Sequence, residues 1–124
     1  MNNKPFNIAV DPKGKYAYVP NYSDNTISQY AINNGVLSAL SPSTVPSKDS
    51  NPNAIAVNPN GGYLYVTSDP DSTVSVYSIN PSTGALKYSS SVVSANSFPD
   101  AIVIDPSGRY AYVVAMSGVR TDRS

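Results

Sequence analysis

Pro5-Phe6-Asn7-Ile8-Ala9-Val10-Asp11-Pro12-Lys13-Gly14-Lys15-Tyr16-Ala17-Tyr18-Val19 is the first of three versions of one phrase. It returns as Pro52-Asn53-Ala54-Ile55-Ala56-Val57-Asn58-Pro59-Asn60-Gly61-Gly62-Tyr63-Leu64-Tyr65-Val66 and again from Pro99 to Val113, so Pro5, Pro52 and Pro99 stand 47 residues apart. Gly14, Gly61 and Gly108 keep that offset, and so do the paired tyrosines. A fixed period of this length marks stacked supersecondary units, which settles the fold class before any weaker signal is weighed.

Each phrase states its own local structure. Ile8-Ala9-Val10, Ile55-Ala56-Val57 and Ile102-Val103-Ile104 are short apolar runs between turn residues, as expected of a strand buried on both faces. Asp11-Pro12-Lys13-Gly14 and its equivalents place Asp or Asn first, Pro second and Gly fourth, the preferences of a type I turn. A second strand follows: Tyr16-Ala17-Tyr18-Val19, Tyr63-Leu64-Tyr65-Val66 and Tyr110-Ala111-Tyr112-Val113 put tyrosines on one face and smaller apolar groups on the other. Neither face is polar, so such sheets need neighbours on both sides, and the tyrosine face of one unit is expected to pack on the small face of the next.

Two more strands complete the unit. Thr26 to Ile32 and Thr73 to Ile79 are rich in β-branched and aromatic residues, and a fourth strand reads clearly over 86–93 and faintly over 37–45. Four antiparallel strands in 47 residues fit the blade of a β-propeller. The expected fold is therefore all-β: blade one over 5–51, blade two over 52–98, half a blade over 99–116 and a tail at 117–124 that leaves the pattern. The whole is read as a partial propeller of two and a half repeats.

Composition narrows the chemistry. The 124 residues suit a single domain, and 8 Lys plus Arg balance 8 Asp plus Glu, so no field of one sign exists to gather nucleic acid. Cysteine and histidine are absent and every acid is Asp, which removes thiolate nucleophiles, Cys or His zinc sites and Ser-His-Asp arrangements. No cofactor is expected. No apolar run approaches the ~20 residues of a membrane helix, and Met1-Asn2-Asn3-Lys4 does not open a signal peptide.

Beyond the pattern, the residues resemble those of the YVTN-type, lactonase-like (6-phosphogluconolactonase-like) propellers. The resemblance rests on Tyr18-Val19-Pro20-Asn21, Tyr65-Val66-Thr67-Ser68 and Tyr112-Val113-Val114-Ala115, on Asn25-Thr26-Ile27-Ser28 and Ser72-Thr73-Val74-Ser75, and on Ile79-Asn80-Pro81-Ser82-Thr83-Gly84-Ala85-Leu86. It implies a closed ring of seven blades, hydrolysis of sugar lactones in some members, and for many an extracytoplasmic or surface location. The present sequence departs from it in having only two and a half units, neither His nor Glu, and an ending that suggests a fragment.

An arc, unlike a ring, has two open blade faces. A face of four strands of about five residues covers roughly 300 Å² and forfeits roughly 7 kcal/mol if left wet. Self-association or closure against other blades is therefore expected, the more so because the second strand of the half blade is expected to be an open edge.

Strand alternation puts the loops at 21–25, 47–51, 68–72 and 96–100 on one face, the expected mouth for a small-molecule or protein ligand. Its candidate ligand groups are Tyr22, Asp24, Lys48, Asp49, Asp69, Asp71 and Asp100. Asp69-Pro70-Asp71 offers paired carboxylates but reads as turn chemistry rather than a calcium site. Asp11, Asn58 and Asp105 open Pro-Gly turns and are expected to cap the backbone, and no catalytic residue is assigned. Two functions stand at this point: a scaffold or ligand-binding module, or part of a lactone hydrolase with Asp as its only carboxylate base.

Overall fold

The computed structural model describes residues 7–48, 51–68, 73–93, 99–115 and 118–123. Among the described residues eleven strands run in chain order: β1 (Ala9–Val10), β2 (Tyr16–Asn21), β3 (Thr26–Asn33), β4 (Val36–Pro46), β5 (Pro52–Val57), β6 (Tyr63–Ser68), β7 (Thr73–Ile79), β8 (Leu86–Val93), β9 (Pro99–Ile104), β10 (Tyr110–Ala115) and β11 (Gly118–Arg123). They form three antiparallel sheets, ordered β1-β2-β3-β4, β5-β6-β7-β8 and β9-β10-β11. Each is an up-and-down meander, because every connection is too short for anything but a hairpin or a step to the next sheet.

The phrase folds as its residues dictate. Gly14, Gly61 and Gly108 donate their N–H to the carbonyls of Asp11, Asn58 and Asp105 at 2.9, 2.7 and 2.9 Å, closing the turn. Asp11 Oδ1 accepts from the N–H groups of Lys15 (2.6 Å) and Tyr16 (3.0 Å), and Asp105 Oδ1 accepts from Arg109 and Tyr110 in the same way. These carboxylates cap the backbone that leads into β2 and β10.

Sheets stack tyrosine face to small face. Tyr18 and Ile27 of the first sheet pack with Ile55, Leu64 and Val66 of the second. Tyr65 and Val74 on the second sheet's other face pack with Ile102, Ala111 and Val113 of the third. Each large side chain so removed from water contributes about 1.5–3 kcal/mol. The sheets converge at β5, which packs on β1, β2 and β9, whereas β4 and β8 make their main contacts within their own sheets. A wedge of this kind is the geometry of propeller blades around an axis.

Polar bonds tie the same boundaries. Gln29, fully buried, donates from Nε2 to the carbonyl of Pro42 (3.0 Å) and accepts at Oε1 from Leu86 N–H of the second sheet (2.8 Å). Asn58 donates from Nδ2 to Tyr65 Oη (3.0 Å) and to the carbonyl of Gly108 in the third sheet (3.1 Å).

Two expectations are corrected. Burial of the first strand on both faces holds only where sheets lie on both sides: Ile55 is 6% exposed, but its equivalent Ile8 is 50% exposed, because among the described residues no sheet covers that face. The second strand of the third unit is not an open edge. β11 runs antiparallel to β10 from Ala115↔Gly118 to Tyr110↔Arg123, since ladder bonds come from the main chain and need no repeated side chains.

Candidate functional site

The loop face is set by register. Asn21 opposes Thr26, which opposes Pro46; in the second sheet Pro52 opposes Ser68, Ser68 opposes Thr73, and Thr73 opposes Val93. Asn21, Thr26, Ser68 and Thr73 make these ends of the inner strands polar. Asn21, Ser28, Thr67, Ser68 and Ser75 are all buried. Asn21 Nδ2 donates to Ser28 Oγ (2.8 Å) and Thr26 Oγ1 (3.1 Å), and Thr67 Oγ1 accepts from Ala54 N–H (3.0 Å). Buried polar groups must be paired, and here they form a shelf beneath the loops.

Asn25 organises the loops above. It adopts a left-handed φ of 57°, tolerable for Asn, and its N–H bonds to the carbonyl of Asn21 at 3.0 Å. Its carbonyl accepts from Ser47 N–H (2.9 Å) and its Oδ1 from Asn51 N–H (2.7 Å), so the turn after β2 is stitched to the link between the first two sheets. Tyr22 and Asp24 ride on this turn, half-buried and exposed respectively.

Lys48 is placed elsewhere. Its N–H donates to Tyr77 Oη at 2.8 Å, and its Nζ lies 5.6 Å from the ring centroid of Tyr88 on the outer strand β8. Tyr88 in turn meets Tyr77 edge to face at 5.8 Å. The cation is thus held over an aromatic ring at the outer edge rather than offered at the mouth. Asp100 falls within β9, not in the loop before it, because pairing to β10 already starts at Pro99. Asp49, Asp69 and Asp71 lie outside the described residues. Of the seven candidates, Tyr22 and Asp24 are the two described on the loop face.

A feature the sequence reading missed lies on the opposite face. The turns of the first two sheets enclose a cleft of about 140 Å³ lined by Asp11, Lys13, Lys15 and Tyr16 on one side and by Asn60 and Gly61 on the other. Asn58 closes the next boundary by donating to Gly108, but Asp11 has no amide donor with which to reach Gly61. The signal was present in the phrase itself, as the exchange of Asp11 for Asn and of Lys13 and Lys15 for Asn60 and Gly62 between units. Among the described residues, no group of three or more Asp, Glu, His or Cys is placed to hold a metal ion. Among the described residues no helix is long and apolar enough to cross a membrane.

Three wedge-packed antiparallel sheets with short closed turns on one face and longer polar loops on the other define a segment of a β-propeller. Over residues 1–98 the sequence matches the family Lactonase, 7-bladed beta-propeller, and the chain belongs to that family. Its backbone is similar to that of a provisionally assigned 6-phosphogluconolactonase from Bacteroides fragilis, with a TM-score of 0.88 at 21% identity over 98% of this chain and 35% of that one. The periplasmic gluconolactonase of Pseudomonas aeruginosa gives 0.83 at 19% identity over 98% of this chain and 36% of its own. Hydrazine synthase from Kuenenia stuttgartiensis gives 0.78 at 22% identity over 97% and 32%. The chain thus spans about a third of each of these relatives, and likeness to proteins of such different names speaks for the fold alone. No curated protein sequence matches it.

Proposed function

We propose that the chain is a ligand-binding segment of a lactonase-family propeller, taking a hydroxyl-rich, sugar-derived lactone at its loop face. One observation carries the location: the buried polar shelf of Asn21, Ser28, Thr67, Ser68 and Ser75 lies at the loop end of the strands, supporting loops that present Tyr22 and Asp24. A polyol needs rigid hydrogen-bonding loops and one flat apolar surface, and these groups supply both. The family match favours a second reading, in which an aspartate of this chain acts as base in lactone hydrolysis.

Calorimetric titration with a gluconolactone and a hydrolysis assay separate the two. The binding reading expects saturable heat, weakened about tenfold or more by Asp24→Asn, and no turnover above buffer. Turnover abolished by Asp24→Asn or Asp71→Asn would establish the hydrolytic reading instead, and an absence of saturable heat would overturn the first.

A further inference from the structure

We propose that the cleft between the turns of the first two sheets binds a small organic monocarboxylate, with its charge at Lys13 and Lys15 and its apolar body against the turn prolines. The inference concerns the face opposite the loops and does not depend on the ligand-binding reading given above.

The cleft exists because one joint is built differently from the next. Where the second sheet meets the third, Asn58 donates to the carbonyl of Gly108 at 3.1 Å, and a Cβ at Gly108 would come within 2.6 Å of Asn58 Oδ1, so that boundary is shut. Where the first sheet meets the second, Asp11 stands in place of Asn58 and accepts from the N–H groups of Lys15 and Tyr16 on its own turn. Among the described residues, a Cβ at the equivalent Gly61 would meet Pro12 Cδ alone within 4 Å, at 3.8 Å, and the space left over is the cleft of about 140 Å³. Both of its walls belong to sheets that pack directly on each other.

These walls are fixed before any ligand arrives. Pro12, Pro59 and Pro81 line the cleft, each following the first residue of a turn, with φ locked by the ring. The three turns are closed by bonds of their own: Gly14 N–H to the Asp11 carbonyl, Gly61 N–H to that of Asn58, and the N–H groups of Ser82 and Thr83 to Asn80 Oδ1. Tyr16 is held as well, its hydroxyl donating to the carbonyl of Ser82. A preformed site loses little freedom on binding.

The lining selects the class of ligand. Lys13 and Lys15 against Asp11 leave one net positive charge, which matches a monoanion. The prolines, Ile79 and the Tyr16 ring add apolar surface that a bare inorganic anion would leave uncovered. At about 10–15 Å³ for each water, the volume accommodates a ligand of about ten non-hydrogen atoms. Benzoate has that size and charge and serves as the probe.

Amide correlation spectra of the full chain, recorded by nuclear magnetic resonance during titration with benzoate, test this. Saturable shifts are expected at Lys15, Gly61 and Ile79, with a Kd of about 1 mM. Benzamide, which lacks the charge, and acetate, which lacks the ring, should each bind at least tenfold more weakly. Lys13→Gln combined with Lys15→Gln should weaken benzoate at least tenfold, whereas Arg109→Gln, which removes the cation equivalent to Lys15 in the third sheet, should leave it unchanged. Spectra of the variants that overlay on the wild type away from the substitutions confirm folding. An absence of saturable shifts at these amides overturns the proposal. Equal binding of acetate or benzamide overturns it too, as does a double variant that binds benzoate like the wild type.

Discussion

The hydroxyl of Tyr18 donates to the carbonyl of Gly84, 2.5 Å away and 66 residues later in the chain, and so joins the first sheet to the second at a buried point. Burial pushes the phenol well above its usual value, aided by the charge of Asp11 and then by Tyr16, so it remains a donor at neutral pH. Tyr18→Phe keeps the ring and removes the donor, leaving a carbonyl unpaired. The variant is expected to lose about 1–2 kcal/mol in urea denaturation, with an unchanged slope.

Gln29 acts at the same boundary but with two bonds, one into its own sheet and one across. Gln29→Ala leaves the Leu86 N–H and the Pro42 carbonyl without partners and opens space in a buried place. About 3 kcal/mol of destabilisation is expected, more than for Tyr18→Phe in the same denaturation series.

Gly84 and Gly35 both adopt left-handed backbone, with φ of 80° and 78°, yet they sit in different surroundings. A Cβ at Gly35 meets nothing within 4 Å, so Gly35→Ala should cost only the strain of the conformation, about 1 kcal/mol. A Cβ at Gly84 would strike the ring of Tyr16, whose hydroxyl bonds to the carbonyl of Ser82 at 3.2 Å. Gly84→Ala should therefore lower the melting temperature clearly more than Gly35→Ala does, and the two variants compared by calorimetry check it.

Asp105 supplies a pH dependence of known sign. Partial desolvation pushes its carboxyl up, but hydrogen bonds from the Ser107 hydroxyl and from the N–H groups of Tyr110, Arg109 and Gly108 together hold it below its ordinary value of 3.8. A carboxyl lowered on folding contributes stability that is present above its unfolded value and lost as pH falls through the folded one. Asp105→Asn keeps an acceptor, as Asn58 does naturally in the second sheet, but cannot titrate. The stability difference between wild type and variant should thus be constant at neutral pH and shrink as pH falls below 3.8, which thermal melts at a series of pH values would measure.

Much of this was legible because it is local. The Asp-Pro-x-Gly turns, the tyrosine alternation of β2, β6 and β10 and the sheet stacking all follow from residues within one phrase and its period. What escaped was set by distant partners or by none. Gln29 looks like an ordinary strand residue, for its partners lie 13 and 57 positions away. β4 is faint in sequence because, as the outer strand of its sheet, it is exposed along most of its length and needs no alternation. Lys48 reads as a free cation until Tyr88, far along the chain, comes beneath it. At the candidate site the loops themselves were foreseen, whereas the stitching role of Asn25 was not, since nothing in the order of residues shows that it receives both Ser47 and Asn51.

Because the first and second sheets meet through the same kind of apolar surfaces as the second and third, the packing at the joint is alike whichever units it connects. Excising residues 52–98 would bring Tyr18 against Ile102, Ala111 and Val113, a set of neighbours of the kind it already has. Length in this architecture can therefore change in whole increments as far as apolar packing is concerned, whereas the seam bonds of Tyr18 to Gly84 and of Leu86 to Gln29 would have to be replaced.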